Sequence, residues 1–156
     1  MELKTKINAE AGTHDLHITR EFDLPVDLLF TAYTDADIVA QWMNTKVIKL
    51  DNKKHGGWQF ETSDPNGNVV FEANGTIHEF VPNQKITRTF EINNAPFDVQ
   101  LEFLTFEPLT TNTSKLTIHI VYRSIAIRDQ MLQLPFAKGL NMAHNLLQKI
   151  MQPTTN

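Results

Sequence analysis

Apolar and polar residues alternate through HDLHITREFD at residues 14–23. Leu16, Ile18 and Phe22 fall on one face, and His17, Thr19 and Glu21 on the other. A period of two predicts a strand. Pro25 then opens a helical pattern, PVDLLFTAYT, and proline is tolerated in the first turn of a helix. Thr34 or Asp35 caps a second short helix, DADIVAQWM, whose Ile38, Val39 and Trp42 share one side. From Lys46 to Ser124 the period of two returns. The runs KVIKLD, WQFETSD, NVVFEANGTIHEFV, KITRTFEI, DVQLEFLTFE and SKLTIHIVYR are separated by turn-forming stretches. Asp64-Pro65-Asn66-Gly67-Asn68 carries the strongest hairpin signal among them. No connector is long enough for a crossover, so neighbouring strands are expected to be antiparallel.

The last pattern is PFAKGLNMAHNLLQKIM. Phe136, Leu140, Ala143, Leu147 and Ile150 repeat at spacings of four and three, and Met142 and Leu146 widen the stripe. This predicts an amphipathic helix of about four to five turns. The order is one strand, two short helices, six strands and one long helix. It defines an α+β fold in which a seven-stranded antiparallel sheet receives the stripe of the C-terminal helix. A sheet that curls around a helix needs places to bend. The pair Gly56-Gly57, directly before Trp58 and Phe60, is expected to supply one. Gly75 supplies another. Phe71 and Ile77 share parity but Phe80 does not, which predicts a bulge near Asn74-Gly75.

Composition narrows the picture. The chain has 156 residues, the size of one domain, with an expected core at about residues 14–151. There is no cysteine, which excludes disulfides and thiolate metal sites and suits a reducing compartment. MELKTKINAE contains no apolar run and reads as no signal peptide, so a cytoplasmic location is expected. No stretch approaches the roughly 20 apolar residues of a membrane span. The net charge is −4 and Lys53-Lys54 is the lone cationic doublet, so no nucleic-acid surface is expected.

The segment TREFDLPVDLLFTAYTDADIVAQWM resembles the opening of the START-like SRPBCC superfamily. Within it the resemblance is to the branch named after activators of the ninety-kilodalton heat-shock chaperone's ATPase. Arg20, Phe22 and Pro25 match an Arg-x-Phe-x-x-Pro motif, and Leu29-Phe30, Ala32 and Thr34-Asp35 match the segment after it. Downstream, Asp51 with Gly56-Gly57 and Gly75 with Glu79 and Pro82 fall at the family's spacing. Two positions depart. Met43 replaces the second member of a tryptophan pair, and Ala143-His144 stands where Gly-Trp is frequent. The resemblance covers nearly residues 14–151. It implies a helix-grip fold, as in the birch-pollen allergen, often with an apolar cavity between sheet and helix. It also implies either a small apolar or amphipathic ligand or a chaperone contact, and some superfamily members are enzymes on cyclic or polyketide-like substrates.

The residues themselves offer little catalytic chemistry. Serines occur only at Ser63, Ser114 and Ser124, none in a Gly-x-Ser-x-Gly elbow, and no phosphate-binding glycine loop is present. Among the six histidines, His14 and His17 lie on opposite strand faces, and no His-x-Glu or two-His-carboxylate spacing appears. Neither catalytic residues, nor a metal, nor a cofactor are therefore expected. A turn near Thr110-Thr111 would set Glu102 opposite His119, as an exposed cross-strand pair or an acid–base pair. It would direct Val99, Leu101 and Phe103 inward. Arg88 lies between Ile86 and Phe90 by parity, facing inward toward a carboxylate such as Glu72 or Glu79, or toward an acidic ligand head group. The expected ligand-binding set is Trp42, Met43, Trp58, Phe60, Phe71, Arg88, Phe90, Phe103, Met131, Phe136, Leu140 and Ala143. The reading is a small-molecule binding module, with a co-chaperone-like interaction module, a homodimer contact or a cyclase- or hydrolase-like enzyme as alternatives.

Overall fold

The structure, a computed structural model, describes residues 3–152. Eight strands run β1 (Lys6–Asn8), β2 (Asp15–Phe22), β3 (Lys46–Leu50), β4 (Gly57–Ser63), β5 (Val69–Val81), β6 (Lys85–Ile92), β7 (Gln100–Pro108) and β8 (Ser114–Val121). They form one antiparallel sheet in the order β1-β2-β8-β7-β6-β5-β4-β3. The helices are α1 (Val26–Thr34), α2 (Ala36–Trp42), α3 (Ile125–Leu132) and α4 (Phe136–Met151). The α+β class and both short helices after the first long strand agree with the sequence pattern. The sheet has eight strands rather than seven, because β1 adds an edge to β2 through Lys6–Thr19, Ile7–Ile18 and Asn8–His17. With one half-buried apolar side chain, Ile7, flanked by exposed polar ones, β1 carries almost no periodic signal.

Local chemistry explains where the helices begin. The Asp35 carboxylate accepts hydrogen bonds from the backbone of Asp37 and Ile38, capping α2 as expected. Ser124 caps α3 in the same way, accepting from Ile127. The sequence pattern did not reveal α3, because IAIRDQML has no single apolar face. Its one cation, Arg128, is buried and donates to the Glu10 and Asp15 carbonyls and to Thr13. A buried guanidinium reads as a surface residue to any periodicity rule.

The C-terminal helix docks unevenly. His144 and Leu147 are fully buried, while Phe136, Leu140 and Ala143 toward its start are half-buried. Met142 and Leu146 face outward, so they do not widen the buried stripe; His144 does. Below the docked end lies a continuous core. Phe30 of α1 packs on Phe80 and Phe106, and Tyr33 packs on Trp42 and Phe106.

Three bends differ from expectation. The β5 bulge lies between Ile77 and Glu79, three residues beyond the expected position. Gly75 instead makes room for its neighbours, since a Cβ there would collide with the Thr89 carbonyl and the Trp58 indole. In the β3–β4 turn the left-handed residue is His55 (φ 67°), not Gly56 or Gly57. Gly56 is required because a Cβ would overlap the Asp51 carbonyl, whereas Gly57 has ordinary room beside the Lys49 side chain. The two glycines therefore separate in a mutational test. Gly56→Ala forces the turn open and is expected to destabilise by more than about 2 kcal/mol, within the range for overpacking or backbone shifts. Gly57→Ala should stay within about 1 kcal/mol. Urea unfolding of both variants measures the difference.

Candidate functional site

Because α4 is buried most deeply in its C-terminal half, its first half stands over the concave sheet and leaves a cavity of about 500 Å³. Its walls come from α1 and α2 (Tyr33, Trp42, with Met43 just after), from the sheet (Ile18, Phe71, Phe90, Ile92, Ile118, Ile120), and from α3 and α4 (Met131, Phe136, Leu140). Met43 and Phe71 are each 37% exposed and stand at the rim. Gly139 lies in the wall as well, and a Cβ there would meet open space. Helix propensity favours alanine over glycine by about 1 kcal/mol, so this position leaves α4 weaker and the cavity wider.

The cavity carries a small polar group on an apolar background: Arg88, Gln100, Glu102, Tyr33 and Tyr122. Arg88 Nε donates to Glu102 Oε1 at 3.0 Å, and Gln100 Nε2 donates to Glu102 Oε2 at 2.9 Å. The Arg88 and Glu102 side chains are 11% and 8% exposed, so this is a largely desolvated ion pair. The guanidinium also lies 4.9 Å from the centroid of the Trp58 ring, a cation–π contact. Both carboxylate oxygens of Glu102 are engaged, and among the described residues Arg88 reaches its acceptor through Nε.

A one-residue difference in register put this group out of reach of the sequence pattern. The β7–β8 turn is centred on Thr111, which pairs Glu102 with Ile120 and Phe103 with His119. One step of register exchanges the two faces of a strand. Gln100, Glu102, Leu104 and Phe106 consequently point inward and are buried. Leu101 and Phe103 do not line the cavity. Phe103 stacks on His119 on the outer face, with ring centroids 5.7 Å apart, so its expected place in the site is corrected. Glu102 and His119 are not partners: Glu102 holds Arg88, and His119 bonds Asp15. The Arg88 carboxylate is thus Glu102, not Glu72 or Glu79.

Of the other expected residues, Trp42, Met43, Phe71, Arg88, Phe90, Met131, Phe136 and Leu140 are brought together around the cavity. Trp58 and Phe60 stand behind the wall as buried support, with Trp58 5.3 Å from Phe90 and 4.9 Å from Phe60 by ring centroid. Ala143, half-buried at the middle of α4, packs against the core and does not line the cavity. The expected set lacked the polar and small lining residues Tyr33, Gln100, Glu102, Tyr122 and Gly139, and the isoleucines Ile18, Ile92, Ile118 and Ile120. The alternation of Gln100, Glu102, Leu104 and Phe106 was a usable signal, hidden by the more apolar alternative face.

Beside the cavity runs a buried hydrogen-bonded chain. The Tyr33 hydroxyl lies 2.8 Å from His144 Nε2, and His144 Nδ1 lies 2.7 Å from the Thr5 hydroxyl. Burial, with help from the Arg20 charge, pushes His144 down to about 3. Burial likewise raises the Tyr33 hydroxyl well above its ordinary value. The pair is therefore neutral at physiological pH.

The curved antiparallel sheet, the C-terminal helix and the cavity between them define a helix-grip, START-like domain. The chain belongs to the family described as Activator of Hsp90 ATPase homolog 1-like protein, whose sequence pattern matches residues 23–152. Protein Ms6760 from Mycobacterium smegmatis has the same fold, with a TM-score of 0.85, 18% identity, and coverage of 98% of this chain and 99% of its own. A Rhodobacter sphaeroides protein is similar, with a TM-score of 0.85, 16% identity, and coverage of 95% and 97%. An Arthrobacter aurescens protein follows with a TM-score of 0.82, 15% identity, and coverage of 97% and 93%. No curated protein matches the chain significantly. No described helix is long and apolar enough to cross a membrane.

His144 gives the fold a specific response to acid. The unfolded chain protonates it near 6.5, the folded chain not until about 3, so between these values the unfolded state holds the extra proton. The contribution is complete above 6.5 and shrinks as pH falls toward 3. Stability is expected to drop by about 2 kcal/mol between about pH 7.5 and about pH 5 through this residue. Urea unfolding at the two pH values should show the drop in the parent protein and its loss in His144→Gln.

Proposed function

We propose that this chain is a binding module, a single domain, for a small amphipathic molecule with an apolar body and one hydrogen-bond-accepting group. The observation that carries the reading is the cavity of about 500 Å³ with the Arg88–Glu102–Gln100 group in its wall. Ligand sites commonly span about 300–1,000 Å³ and combine apolar walls with a few placed polar groups. The apolar body rests against Phe90, Phe136, Leu140 and Met131, and the acceptor meets the terminal amino groups of Arg88. Because Glu102 already neutralises the arginine, a carbonyl or a single carboxylate suits the site better than a multiply charged head group. Removing Arg88 alone would strand a buried carboxylate and cost about 3–5 kcal/mol, so the pair is also a structural element.

The family's description favours a second reading, in which the chain acts on a chaperone ATPase through protein contact. Met142 and Leu146, outward-facing on α4, would serve such a contact.

An environment-sensitive apolar dye separates the two. It should bind the native protein, and an aliphatic carboxylate should displace it better than the alkane of equal length. Gly139→Phe fills the cavity from the helix wall and should abolish dye binding while circular dichroism reports an intact fold. Equal dye binding by a folded Gly139→Phe variant would refute the cavity as the binding site. No dye binding by the native protein, together with a change in chaperone ATPase rate that Met142→Asp removes, would establish the second reading.

A further inference from the structure

The outer face of the sheet, opposite the cavity, brings together three groups that sequence spacing kept apart. Antiparallel pairing sets His17 of β2 directly across from His119 of β8, and Asp15 lies two residues before His17 on the same face. The neighbours Leu16 and Ile18 point into the core, which fixes the outward direction of all three. The imidazoles are stacked, with centroids 4.2 Å apart and planes 4° from parallel. His119 Nε2 lies 2.7 Å from Asp15 Oδ2. One ligand atom from each residue falls within 4.8 Å of the other two, the one such group among the described residues.

We propose that Asp15, His17 and His119 form a binding site for a first-row divalent transition ion, with zinc as its simplest occupant. Two imidazoles and one carboxylate are the donor set such ions prefer, while calcium and magnesium call for more oxygen ligands. Bonds of about 2.0–2.1 Å to a tetrahedral ion place ligand atoms roughly 3.3 Å apart. The His119–Asp15 pair is already closer than this, and the ion takes the place of the proton between them. His17, exposed on the strand, closes the remaining gap by side-chain rotation. The rest of the site is held. Phe103 stacks against the His119 ring at 5.7 Å, and the buried Arg128 donates to the Asp15 backbone carbonyl at 3.0 Å. These contacts hold the His119 ring and the Asp15 backbone in place. Three protein ligands leave the fourth position open to water, and the bound ion would tie β2 to β8.

The test is calorimetric titration of the tag-free, chelator-treated protein with zinc chloride at neutral pH, with cobalt(II) absorption reporting coordination number. One ion per chain should bind with micromolar or tighter affinity, and cobalt should give the intense visible bands of a tetrahedral centre. His17→Ala removes an exposed side chain and leaves the fold intact. It should weaken binding by at least about tenfold, as should His119→Ala. His78→Ala alters the other histidine pair, His55–His78, whose rings lie 6.0 Å apart, at an exposed strand position, and should leave zinc binding unchanged. Binding no tighter than millimolar would overturn the proposal. So would a folded His17→Ala variant that binds zinc as the parent does, or binding that a folded His78→Ala variant abolishes.

Discussion

The docking of one end of α4 governs the molecule. His144 and Leu147 are fully buried, and the histidine is held on both ring nitrogens by Tyr33 and Thr5. A neutral, doubly bonded imidazole in a core tolerates little displacement, since either lost partner leaves a buried polar atom unsatisfied. The helix is thereby fixed at its C-terminal half. The twisted sheet curves away beneath its N-terminal half, and the space between cannot be filled by the half-buried Phe136 and Leu140. The cavity is a consequence of this lever-like attachment and needs no separate cause.

Polar groups are then placed by sheet register. Once β7 pairs with β8 around Thr111, Gln100 and Glu102 have no choice but to point into the cavity, and Arg88 on β6 must face them. A carboxylate in that position requires a cation, and an arginine there requires a carboxylate. Their mutual satisfaction explains why both remain in an otherwise apolar space. The same register puts Phe103 and His119 outside, so the two faces of the sheet acquire different chemistry from a single pairing choice.

Much of this architecture is legible in the sequence. The alternation of Leu16, Ile18 and Phe22, the Asp35 cap, the Asp64–Asn68 turn and the α4 repeat each rest on local physics and recur in the structure. What escaped depends on distant pairing. The β7 strand offered two faces, and the more apolar one, with Val99, Leu101 and Phe103, was a reasonable choice that tertiary pairing reversed. The joining of His17 to His119 spans about a hundred residues, so no spacing rule could find it. Arg128 and His144 were hidden because buried polar residues break the apolar repeat that marks a core helix. Eight of the twelve expected site residues do line the cavity, since large apolar side chains facing a concave surface have few other places to go.

The Thr5–His144 hydrogen bond joins positions 139 apart in the chain. During synthesis Thr5 emerges long before its partner exists, so although β1 can pair with the nearby β2, the Thr5 hydroxyl must wait for His144. Closing so long a loop is entropically slow, and the sheet between must already be ordered for the two segments to meet. The grip of the sheet on its helix therefore requires the last helix to be made, and a chain short of residue 144 would leave the concave apolar face uncovered.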